Sequence, residues 1–104
     1  MDCWEQRVIE EAAKSYGTKT QTIQAVEEFS ELLVVLSKIV NGRYSSKDHL
    51  IPLIDEVADC QIMLNSLKSI YEIEDQVSER VFFKLNRLRE RVRERNGRHG
   101  DEKL

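Results

Sequence analysis

Apolar residues recur at intervals of three and four through most of this chain, and few residues interrupt them. Four glycines and one proline are the only outright helix breakers among 104 residues. No stretch alternates apolar and polar residues over strand length, and no internal repeat stands out. A chain of this size forms one small domain, and the pattern makes it all-α.

The breakers fall where helices should end. A short first helix runs from about Cys3 to Ser15 and stops at Tyr16-Gly17, where Gly17 suits a left-handed cap. Thr18 or Thr20 then caps a long second helix reaching Val40, which Asn41-Gly42 closes. Arg43 to Lys47 form a polar loop. A third helix begins between Asp48 and Pro52, since proline is tolerated in a first turn, and continues to about Tyr71. After a break at Glu72 to Asp75, a last helix spans about Gln76 to Asn96. Gly97 ends it, leaving residues 98–104 as a flexible tail behind a single helical domain of residues 1–97. Short connections predict an antiparallel four-helix-type bundle: a short N-terminal helix, two long helices and a basic C-terminal one. So small a domain buries little surface and gains from association with copies of itself.

The long helices carry an anomaly. The stretch VEEFSELLVVL, residues 26–36, sets Glu27, Glu28 and Glu31 within the most apolar part of the chain. On a wheel with Val26 at zero, Val26, Phe29, Leu33, Leu36 and Val40 fall between about 280° and 360°, the expected buried stripe. Glu28 and Glu31 lie near 200° and 140°, on a face shared with Gln24 and Val35 and flanked by Leu32 and Ile39. In the third helix the stripe is Leu50, Leu53, Val57, Cys60, Leu64, Leu67 and Tyr71, and Glu56 and Asp59 border it. Like charges three residues apart repel, and carboxylates beside a core are costly unless something neutralises them. Two such pairs on antiparallel neighbours converge into an all-oxygen site suited to Mg²⁺ or Mn²⁺. A di-iron bundle would need Glu-x-x-His pairs, and His49 and His99 stand in no such place. Against this stands the ordinary fate of glutamate-rich helices, whose acids are mostly solvated.

The acid pattern also carries a resemblance. Glu27-Glu28-x-x-Glu31, then 24 residues, then Glu56-x-x-Asp59 resembles the MazG-like nucleoside triphosphate pyrophosphohydrolases of the all-α pyrophosphatase superfamily. The similarity extends over YGTKTQTIQAVEEFSELLVVLSK and DEVADCQIMLNSLKSIYEIEDQVSERVFFKLNRLRERV, roughly Tyr16 to Val92. It implies Mg²⁺-dependent cleavage of nucleoside triphosphates between the α and β phosphates, giving monophosphate and pyrophosphate. It further implies Glu28, Glu31, Glu56 and Asp59 as metal ligands and Glu27 and Glu31 as catalytic acids, with Glu27 positioning the attacking water. A homodimer or homotetramer is implied too, clearing noncanonical or surplus nucleotides from the pool.

Charge is unevenly spread. Residues 1–79 hold 7 Lys/Arg against 15 Asp/Glu, a balance of −8, while residues 80–104 hold 9 against 4, a balance of +5. In the last helix Arg80, Lys84, Arg87 and Arg91 cluster beside the apolar positions Val81, Leu85, Leu88 and Val92. Lys84, Arg87 and Arg91, with Lys38 on the second helix, are the expected phosphate-binding cations. Flanking cations also commonly just cover a core edge. Nucleic-acid binding is disfavoured: Glu90 and Glu94 alternate with the arginines of RLRERVRERNGR, and no aromatics interleave them for base stacking. Trp4, Tyr16 and Phe82 could touch a base or simply pack. Cys3 and Cys60 lack disulfide or zinc spacing, and no run is long enough to span a membrane, so the expected setting is cytoplasmic. The competing expectation is a non-enzymatic helical interaction module or a nucleotide-binding sensor.

Overall fold

A computed structural model of the protein describes residues 3–42, 48 and 50–102, with side chains described as far as residue 98. Four helices follow one another: α1 (Cys3–Tyr16), α2 (Thr18–Val40), α3 (Leu50–Ile70) and α4 (Glu74–Glu102). No strand occurs among the described residues, and none of these helices is long and apolar enough to cross a membrane. The expected polar loop, Arg43 to Lys47, and His49 lie outside the described residues. The chain divides into two compact units, Met1–Glu72 and Ile73–Leu104.

Within the first unit α1, α2 and α3 pack on one another, α2 against α3 most extensively. Cross-helix partners show that these two run antiparallel. Thr22 meets Tyr71 through their hydroxyls at 2.8 Å, Gln21 meets Ser66 at 3.3 Å, and the backbone of Glu28 meets Cys60 at 3.4 Å. Ascending α2 therefore means descending α3. The α1–α2 corner turns on Gly17, whose φ of 85° and ψ of 165° lie in a region open essentially to glycine alone. Gly17 itself is the N-cap, and no side chain caps α2. Thr18 is already the first helical residue, which corrects the expected threonine cap. At the far end Gly42, with φ 68°, closes α2 by donating to the carbonyl of Ile39 at 3.1 Å. Glu72, with φ 54°, ends α3 in a tight turn.

The packed faces differ from the expected stripes. On α2 Gln21, Ala25 and Val35 are buried and Thr22, Glu28, Phe29, Leu32, Lys38 and Ile39 half-buried, whereas Val26, Leu33, Leu36 and Val40 are exposed. On α3 Cys60 and Ser66 are buried, with Leu53, Glu56, Met63, Leu67 and Ile70 half-buried, while Leu50, Val57, Leu64 and Tyr71 are exposed. The reason is visible on the wheel. Val35, Leu32 and Ile39 make a second apolar face on α2, and Ala25 keeps it narrow enough for α1 and α3 to approach closely. Glu28 and Glu56 consequently sit inside the helix contact rather than at the border of a buried stripe. The buried core among the described residues is correspondingly small: Ile9, Ala25, Val35 and Cys60, with Gln21 bridging the three helices by donating to Ala12 and accepting from Ser66.

In the second unit α4 is a helix of 29 residues. It does not end at Gly97 but continues through Gly97 and Gly100 to Glu102, since each interior glycine costs a helix only about 1 kcal/mol. The Arg98–Glu94 pair at 3.9 Å spans Gly97. Phe83 receives the guanidinium of Arg80 at 5.0 Å and of Arg87 at 6.0 Å from its ring centre. Every described side chain of α4 except Val77 and Asn86 is exposed, Val81, Leu85, Leu88 and Val92 included.

Candidate metal centre

Antiparallel pairing of α2 and α3 brings two acidic turns to the same level. One carboxylate oxygen each from Glu28, Glu31 and Glu56 lie within 4.8 Å of one another, the spread expected of ligands around one cation. Asp59, the fourth acid, is exposed and outside that trio, yet it lies within hydrogen-bonding reach of Glu28, as Glu31 does of Glu56. These carboxylate pairs accept only while ionised. Their contact becomes a hydrogen bond only when one of them holds a proton.

The two central acids are unevenly satisfied. Glu28 accepts from the Gln24 side-chain amide at 2.7 Å through Oε1, but its Oε2 is buried without a partner. Oε2 of Glu56 is buried and unpartnered as well. Such atoms are rare in folded proteins, and each calls for an unseen proton, water or ion. Burial raises the pKa of Glu28 above the ordinary carboxylate value. The Gln24 hydrogen bond works against that shift, and the charges of Asp59 and Glu31 add to it. Glu56 is raised by burial first, then by the charge of Glu31 and its contact with that acid, with Asp59 and Glu28 contributing less. A hard divalent cation would relieve both burdens at once, filling the orphaned oxygens and cancelling the repulsion. On this donor chemistry the residues fit Mg²⁺ or Mn²⁺.

Cys60 stands against the same cluster. Its thiol donates to the backbone carbonyl of Glu28 at 3.4 Å and so ties α3 to α2 beside the acids. Burial and then the charges of Glu56, Glu28, Asp59 and Glu31 push the thiol up, keeping it protonated and unsuited to act as a soft metal ligand. Sequence reading placed Cys60 in the α3 stripe and Gln24 on the acidic face without assigning either a role. The Gln24–Glu28 spacing of four residues was the available signal.

The remaining expected residues are placed as follows. Glu27 is exposed on α2, turned about 100° from Glu28, and does not join the trio. Lys38 is half-buried on α2, two turns beyond Glu31 on the same side of the wheel. Lys84, Arg87 and Arg91 are exposed residues of α4 in the second unit, where Arg87 lies over Phe83. Tyr16 and Trp4 each line a cavity of the first unit. Comparison of the chain with protein-family models, with curated proteins and with solved structures gives no match.

Proposed function

We propose that this protein is a Mg²⁺-dependent nucleoside triphosphate pyrophosphohydrolase. The observation that carries the reading is the trio of converging carboxylates with orphaned, buried oxygens on Glu28 and Glu56. Glu28, Glu31 and Glu56 hold the cation, and Asp59 completes the set from the edge of the cluster. A cation bound there supplies charge neutralisation at phosphate oxygens and acidifies water. Glu27 and Glu31 orient the attacking water and accept its proton, and cleavage falls between the α and β phosphates. Lys38, on the helix that carries Glu28 and Glu31, binds phosphate charge that the metal leaves uncompensated. The resemblance in the acid motif supports this choice of substrate over other phosphate esters.

The test is a panel of nucleoside triphosphates assayed for pyrophosphate with Mg²⁺. Release of pyrophosphate and monophosphate in equal amounts from at least one of them, dependent on the cation, is the expected result. Silence across the panel, with no metal-dependent change in melting temperature, would favour the interaction module instead.

The same reading includes assembly into a homodimer or homotetramer with a completed helical bundle. The exposed row Val26 (61%), Leu33 (63%) and Val40 (85%) on α2 supports it, since apolar rows of this kind mark association surfaces. Leu33→Glu should therefore shift the protein toward monomer by light scattering. An unchanged mass would place the interface elsewhere.

A further inference from the structure

We infer that the cavity between α1, α2 and α3 receives the nucleobase of the substrate, and that Gln24 selects bases presenting an amino group. The inference rests on the pyrophosphohydrolase reading and extends it from phosphate to base. The cavity measures about 390 Å³, within the size range of small-molecule sites, and lies wholly in the first unit. Ala12 and Met63 give it apolar walls, and Tyr16, 64% exposed, offers a ring for stacking. What distinguishes it is Gln24, which lines the cavity and also grips the acidic cluster through Glu28 Oε1 at 2.7 Å. One side chain thus joins the base site to the metal centre.

That grip fixes the amide. Gln24 Nε2 is the donor to Glu28 Oε1, so the NH₂ group of the amide is turned to the acid. The carbonyl Oε1 of Gln24 is left as an oriented acceptor. The other amide of the cavity is committed: Gln21 donates to the Ala12 carbonyl at 3.5 Å and accepts from Ser66 at 3.3 Å. A fixed acceptor matches the exocyclic amino group of cytosine or adenine and confronts the keto oxygen of uracil or hypoxanthine with a like lone pair. A second cavity, of about 410 Å³ beside Trp4, does not have Gln24 in its lining.

The experiment is calorimetric titration with non-hydrolysable α,β-methylene analogues of CTP, UTP, ATP and ITP in Mg²⁺, alongside turnover of the parent nucleotides. The amino-bearing member of each pair should bind about tenfold more tightly, the worth of one hydrogen bond. Gln24→Met, at an exposed position, should bring each pair to within about twofold while Mn²⁺ binding, followed by electron paramagnetic resonance, persists. Equal affinities within both pairs in the parent protein, or discrimination that survives Gln24→Met, overturns the assignment. Those results leave the hydrolase reading standing if pyrophosphate is still released. Absence of both nucleotide binding and turnover removes the two readings together.

Discussion

Glu28→Gln is expected to lower pyrophosphate release by about two to three orders of magnitude, the scale on which an essential electrostatic contact is lost, while the fold survives. Glu28 is the hinge of the cluster. Its Oε1 is held by Gln24, its Oε2 is buried without a partner, and its backbone carbonyl accepts the Cys60 thiol. Glutamine keeps the shape, can still bond Gln24, and leaves the backbone contact untouched. What it removes is the charge that Asp59 and Glu31 oppose. The metal-free variant should therefore melt at or above the temperature of the parent protein, because repulsion between neighbouring acids is relieved. Opposite signs on activity and stability separate a metal ligand from a structural acid, whose loss lowers both. Asp55→Asn, which removes an exposed charge one residue from Glu56, should leave turnover unchanged within about twofold and serves as the control for net charge. Full activity in the Glu28 variant would remove the metal centre from the mechanism.

The sequence carried the helix order and the convergence of the acids, and misled on helix ends and on the packed faces. Helix order and ends followed from breakers, because Gly17 and Gly42 occupy positive φ where other residues are strained. Gly97 was misread by the same rule: a glycine permits a stop without enforcing one, and α4 runs through it. Convergence of Glu28, Glu31 and Glu56 was legible because i,i+3 spacing on antiparallel neighbours leaves few alternatives. Which face of α2 packs was not. Two apolar faces compete there, and the larger, through Val26, Leu33 and Val40, is the exposed one in the single chain. Wheel arithmetic ranks faces by apolar content, whereas close approach of helices is decided by small residues such as Ala25, and that ranking failed here. Gln24 lay in plain view four residues before Glu28, but its value as a bridge to a cavity depends on α1, whose placement no local pattern announces.

The metal-free protein should lose stability as pH rises out of the acid range, and divalent metal should reverse that trend. Glu28 and Glu56 are both raised above their ordinary value of 4.5 in the folded state, by burial first and by their acidic neighbours next. A group with a raised folded value binds more protons folded than unfolded. Its contribution to stability is thus complete below the unfolded value and disappears as pH climbs through the folded one. Apo stability consequently falls across a window that opens near 4.5 and extends upward. Mg²⁺ or Mn²⁺ binds the ionised form, so its stabilisation grows over the same window as protons leave. At neutral pH and a hundredfold excess over the dissociation constant, binding adds about 2.7 kcal/mol, which raises the melting temperature of a domain this size by on the order of 10 °C. Other carboxylates titrate in the same range, so the decisive quantity is the difference between the parent protein and Glu28→Gln/Glu56→Gln, measured by thermal melts from pH 4 upward with and without cation. In the double variant both the apo decline and the metal response should flatten. A parent protein whose metal response is the same at acid and neutral pH, or survives in the double variant, does not hold its cation on these carboxylates.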